Sequence, residues 1–165
     1  MENTNILDKN WKSLSKPKKL QVESNDDKSV ATVIAQPLEK GFGQTIGNSL
    51  RRILLSSIQG TAVTAIQIDG VLHEFSSIKG VREDVTDIVL NVKNLAIKSG
   101  SDSSKKLILD AEGPKEVKAK DITLVGDIKI LNPEQTICNL DEKTNFHMEL
   151  MINNGKGYVP APKNR

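Results

Sequence analysis

Glycines 41, 43 and 47 are the first residues whose type and spacing suggest chemistry. A dinucleotide-binding loop is written G-x-G-x-x-G on a tight strand-to-helix turn, so that the backbone can approach a pyrophosphate. Here the spacing is G-x-G-x-x-x-G, and Pro37-Leu38-Glu39-Lys40 separates the glycines from the preceding apolar run. A structural reading fits better: Gly41 and Gly43 shape the start of a helix, and Gly47 lets another backbone come close. The two histidines, His73 and His147, have no partner His or Cys at metal-ligand spacing. His147 falls on the polar face of an alternating run, and His73 follows a turn. Cys138 sits in a strand pattern and reads as a small core residue. No G-x-S-x-G elbow occurs. The adjacent carboxylates Glu83 and Asp84 point to different sides of a predicted helix and suit its dipole better than acid–base work. The expectation is no catalytic residue, no metal and no cofactor in this chain.

Composition narrows the class further. Of 165 residues, 37% are hydrophobic, 11 are glycine and 27% are charged, the balance of a folding chain. Lys+Arg 23 against Asp+Glu 21 leaves a net charge of +2. Signs alternate, as in Lys115, Glu116, Lys118, Lys120 and Asp121, which describes a mixed-charge surface rather than a phosphate track. The five aromatics, Trp11, Phe42, Phe75, Phe146 and Tyr158, are scattered, unlike a base-stacking platform. One cysteine allows no disulfide within the chain. No run approaches the roughly 18 apolar residues of a membrane span, and the N-terminus carries no apolar stretch of signal-peptide length. A cytoplasmic protein is expected, with no membrane contact.

The elements that would position any site can be placed from periodicity. Residues 1–19 are polar and Lys-rich and read as a tail, pinned at most by Trp11. Leu20–Glu23 and Val30–Gln36 read as a hairpin, with turn chemistry from Ser24, Asn25, Asp26 and Asp27. Ile46, Leu50, Ile53, Leu54 and Ile58 fall on one face of a helix that should stop near Gly60. Thr61–Ile68 alternates as a strand, Asp69-Gly70 is a tight turn, and Val71–Phe75 is expected to return as a second strand. Val81, Val85, Ile88, Val89 and Val92 mark another helix after Gly80. Beyond it the pattern is all strand: Leu95–Lys98, Lys106–Leu109, Asp127–Leu131, Thr136–Leu140 and Asn145–Ile152, the last alternating Phe146, Met148, Leu150 and Ile152. Gly100–Ser104 is a polar loop and Asn132-Pro133 a turn. The order of elements is α+β.

The first long helix stands out. With Leu55 at its margin its apolar face is wider than one core contact requires, and it carries Arg51-Arg52. Leftover apolar surface marks a partner, and arginine suits interfaces through its planar fork. A solvated helix back is the plain alternative for both arginines. A direct nucleic-acid binder using Lys16, Lys18, Lys19 and Arg51-Arg52 is a second class, and would show steep salt dependence. A stand-alone enzyme is a third, and the residues give it no site.

The stretch LEKGFGQTIGNSLRRILLSSIQGTAVTAIQIDGVLHEFSSIKGVREDV resembles the N-terminal region of the bacterial RNA polymerase alpha subunit. The resemblance continues through VLNVKNLAIK, AKDIT, DIKILNPEQTICNL and GKGYVPA, and covers roughly Leu20–Pro162. The opening NWKSLSKPKKL looks like the alphaproteobacterial version. The resemblance implies two subdomains. Residues 20–59 match the first segment of an incomplete dimerisation subdomain, a hairpin plus long helix, and residues 60–165 match an inserted β-rich domain. The second dimerisation segment and the C-terminal DNA-binding domain have no counterpart here, so the sequence looks like a fragment.

The same resemblance implies a homodimer that serves as platform for the beta and beta-prime subunits of DNA-directed RNA polymerase, with omega and sigma in the full enzyme. Catalysis would belong to the large subunits, and no direct nucleic-acid contact is expected from these residues. Ile46, Leu50, Ile53 and Leu54 would lie in the dimer interface. Arg52, Leu55, Lys93 and Gly157-Tyr158-Val159 match positions implicated in large-subunit contacts.

Overall fold

The computed structural model describes residues 6–26, 29–141 and 143–164. The chain divides into two units, Met1–Leu54 and Leu55–Arg165.

The first unit opens with a short helix, α1 (Ile6–Ser13), where a polar tail was expected. The Ser13 hydroxyl donates to the Asn10 carbonyl at 2.7 Å. The Lys16 ammonium lies 4.0 Å from the centre of the Trp11 ring, so Trp11 caps the turn after α1 through a cation–π contact and stays exposed. The Ser15 amide donates to the Glu39 carboxylate at 2.8 Å and ties this segment to the approach of the next helix. Residues 1–5 of the expected tail lie outside the described residues. The hairpin forms as β1 (Leu20–Ser24) and β2 (Ala31–Ala35), antiparallel from Leu20↔Ala35 to Ser24↔Ala31. Asn25 closes its turn: the side-chain carbonyl accepts from the Val30 amide at 3.1 Å, and the side-chain amide donates to Ser29 at 2.8 Å. Asp27, expected in that turn, lies outside the described residues.

Helix α2 (Phe42–Ser56) follows Gly41, whose φ of +86° favours glycine. The close backbone neighbour expected at Gly47 is missing: a Cβ built there meets nothing within 4 Å among the described residues. α2 stops at Ser56, short of Gly60. Gln59 and Gly60 are taken instead by a strand ladder, pairing with Lys156 and Gly155.

The second unit is built on a six-stranded sheet and a two-stranded one. Its elements are β3 (Gln59–Ile68), α3 (Val85–Lys93), β4 (Ile97–Lys98), β5 (Lys105–Glu112), β6 (Lys115–Lys118), β7 (Ile122–Thr123), β8 (Lys129–Ile130), β9 (Thr136–Leu140) and β10 (Asn145–Lys156). The large sheet runs β7-β5-β10-β3-β4-β8, and β6 pairs with β9. The alternation of β10 decides which face is core: Phe146, Met148, Leu150 and Ile152 are buried, and their neighbours are not. α3 adds Val85, Ile88 and Val92 to the same core, and β9 adds Ile137 and Cys138. The class is α+β, as expected.

Two expectations fail around α3. Val71–Phe75 forms no strand; the Val71 amide closes a turn onto the Ile68 carbonyl at 3.2 Å, and Leu72 and Phe75 are 96% and 81% exposed. The chain leaves the edge of β3 instead of pairing with it. α3 itself begins at Val85, not Val81. Val81 is held in an isolated bridge to Leu140, and Asp84 is the N-cap, accepting from the Asp87 amide at 2.8 Å. Strands β6 and β7 had no sequence signal, since each is a short run with a single core side chain, Val117 or Ile122.

Candidate functional site

α2 carries the first set of candidate residues. Its i, i+4, i+7 spacing places Ile46, Leu50 and Ile53 on one stripe with Leu54 beside it. None is buried: their exposures are 43%, 54%, 53% and 61%. No residue of α2 is buried at all, so the chain as described leaves a 15-residue amphipathic helix with its apolar stripe open. Arg52 lies on the same helix, three residues before Leu55, which is 63% exposed.

The second set comes from chain segments far apart in sequence. Lys93 ends α3, where a cation suits the helix dipole. Gly157, with φ +63°, turns the chain after β10. A Cβ at Gly157 would come to 3.4 Å from the Leu55 carbonyl oxygen and from the Ser56 backbone, so within the second unit this turn lies against its first two residues. Lys93, Tyr158 and Val159 then line one cleft together with Val63, Ile66 and Val89. The fold thus brings Lys93 and the Gly157–Val159 turn to one place, with Tyr158 89% exposed.

The cysteine and the two histidines sit in three separate settings. Cys138 is fully buried, and burial, with the nearby Glu83 charge, pushes its thiol up to about 12. It is a protonated core group, not a nucleophile. His147 sits on the outer face of the sheet with its Nδ1 2.5 Å from the Asp110 carboxylate on the neighbouring strand. His73 is 3.2 Å from the Ser76 hydroxyl. Among the described residues, no group of three or more His, Cys, Asp or Glu side chains is placed to hold a metal ion. No described helix is long and apolar enough to cross a membrane.

One polar cluster escaped the sequence reading. The Asn154 side-chain amide donates to the Ser101 carbonyl at 2.9 Å and to Asp102 at 3.0 Å, while its carbonyl accepts from the Thr61 hydroxyl at 2.5 Å. It staples the polar 99–104 loop to the sheet. Only the continued strand register, running on to Lys156, could have signalled it.

A family model described as the RNA polymerase Rpb3/RpoA insert domain matches residues 66–165. The chain belongs to this family. The matched stretch takes in α3, the all-strand half and the Gly157–Val159 turn. The chain is accordingly an alpha-type subunit sequence of DNA-directed RNA polymerase, working in transcription and assembling with other polymerase subunits.

Proposed function

We propose that the chain acts as a non-catalytic assembly platform. It pairs with a second copy through α2, using Ile46, Leu50, Ile53 and Leu54, and holds the beta and beta-prime subunits through Arg52, Leu55, Lys93 and Gly157-Tyr158-Val159. Residues 20–59 supply one segment of the dimerisation domain, and residues 60–165 are the insert. Omega and sigma join in the full cytoplasmic enzyme, and nucleotidyl transfer takes place on the large subunits.

The observation that carries this reading is α2, a long helix with its whole apolar stripe exposed. A surface helix normally buries that stripe, and contiguous exposed apolar surface marks a protein interface. Leu55 and the Gly157 turn lie together, which supports one continuous large-subunit contact rather than scattered ones. Arginine within such a contact supplies fixed bidentate donors for a carboxylate.

The test is recovery of beta on a full-length alpha dimer carrying Arg52→Ala. Truncating one partner of a buried charged interface pair costs about 2–5 kcal/mol, so recovery should fall by more than about tenfold. Undiminished recovery would remove Arg52 as an anchor.

A further inference from the structure

The cleft beside Lys93 contains an unfinished sheet edge. β3 pairs along its length with β10, but on its other side only Thr61 meets a neighbour, Ile97 of β4. From Ala62 to Ile68 that second edge has no strand against it among the described residues.

Which groups face the open side follows from the ladder. In an antiparallel pair, residues alternate between exchanging hydrogen bonds with the partner and pointing them away. The Asp69 amide donates to the His147 carbonyl at 3.2 Å, marking that pair as bonded. Stepping by two, Gln67 and Ala65 face β10 as well, opposite Glu149 and Met151. Ile66 and Ile68 therefore face outward. The Ile68 carbonyl confirms the phase, because it accepts from Val71, away from β10. Past the bulge opposite Met151, Thr61 faces β4, so Val63, two residues on, faces the same open side.

By this alternation the amides of Val63, Ile66 and Ile68 and the carbonyls of Val63 and Ile66 point away from β10, to the side where no strand lies among the described residues. Val63 and Ile66 are half-buried, at the floor of the cleft walled by Val89 and Val92 of α3 and by Val159. Main-chain groups in such a setting are normally paired. An open edge of this kind templates an added strand.

We infer that an extended segment of another polymerase subunit adds to β3 as a further strand, hydrogen-bonded to Val63, Ile66 and Ile68. This rests on the platform reading above and names how one of its contacts is made. A helical partner satisfies its own backbone and has no use for these groups. A second copy is disfavoured because its own β3 lies at the floor of the same cleft, out of reach of an equivalent edge. The valines of the walls suit small apolar side chains at alternate positions of the incoming strand, and Lys93 suits a carboxylate at one end.

The experiment is amide hydrogen exchange, resolved to single residues, on the full alpha chain alone and in the assembled polymerase. Alone, the Val63, Ile66 and Ile68 amides should exchange fast while those of Ala65 and Gln67 are protected. On assembly the three should slow by about tenfold or more as they gain partners. Ile66→Pro deletes an outward amide without touching a β10 bond, and should lower recovery of the complex by about tenfold while core amides such as Leu150 stay protected. Strand addition is overturned if the complex forms and the three amides stay fast, or if Ile66→Pro assembles normally. Slowing by self-association alone would make a second copy the occupant and also overturn it. Failure of the unaltered chain to recruit any large subunit would overturn the platform reading together with it.

Discussion

The Glu83 carboxylate receives both N–H groups of Asn139, the main-chain amide at 2.7 Å and the side-chain amide at 2.7 Å. This joins the loop ahead of α3 to the middle of β9 across 56 residues of sequence. Burial alone would push the Glu83 carboxyl up, but the two Asn139 donors outweigh it and hold it below the ordinary carboxylate range. The pair fixes where α3 starts, because Asp84 is then left free to cap the helix.

Glu83→Gln should therefore destabilise the second unit by about 1–3 kcal/mol, since the new amide presents a donor to a donor of Asn139. The sign with pH follows from the depressed carboxyl. Its stabilisation is present above the ordinary value of 4.5 and is lost as pH falls through the lower folded-state value. Urea denaturation at neutral and acid pH checks both: the gap between the two proteins should close in acid.

His147 and Asp110 predict the opposite slope. The Asp110 hydrogen bond raises His147 above its ordinary 6.5, with the charges of Asp110, Asp69 and Glu149 helping. The contribution of the pair is complete below that ordinary value and is lost as pH rises through the raised folded-state one. Asp110→Asn should move the His147 titration midpoint down toward 6.5, read from its ring-proton NMR shifts. An unmoved midpoint would assign the effect to Asp69 and Glu149 instead.

Gly80→Ala should cost about 1–3 kcal/mol for two separable reasons. The residue has φ +81°, and a Cβ there would collide with the Thr144 hydroxyl. The Gly80 carbonyl also accepts from the Asp141 amide at 2.8 Å, so the segment has little room to retreat. Adding Thr144→Ala should recover the collision part and leave the backbone strain, measurable as partial recovery of the urea midpoint.

How much of this was legible follows from where the signals are local. The β10 alternation could be read because one face is buried and side chains alternate, and the Thr136–Leu140 strand because its short apolar run, Ile137-Cys138, is buried on both faces. The Val85–Val92 stripe was visible for the same reason, but its beginning was not: Glu83 and Val81 are held by β9, and nothing in the local sequence announces Asn139. Val71–Phe75 has strand-like residues yet makes no strand, because a strand needs a neighbour and the chain leaves the β3 edge there. The cleft was legible only through family likeness. Lys93 and Tyr158 are 65 positions apart in the printed sequence, and only the sheet brings them together.

The exposed stripe of α2 yields the sharpest test of the platform. Leu50 is 54% exposed in the chain alone. Leu50→Lys therefore removes no core contact, and the stability of the isolated chain should change by no more than about 0.5 kcal/mol. The same substitution places an ammonium in the middle of the proposed contact between two copies, where an unpaired buried charge is strongly unfavourable. Sedimentation of full-length alpha should then show the dimer shifted to monomer, with beta recovery falling in parallel. A destabilised isolated chain would instead mean that α2 is covered from within, and a dimer that persists would move the contact off this stripe. Because Ile46 and Ile53 share the stripe with Leu50, Ile46→Lys and Ile53→Lys should follow the same pattern, whereas a lysine at Asn48, off the stripe, should leave the dimer intact.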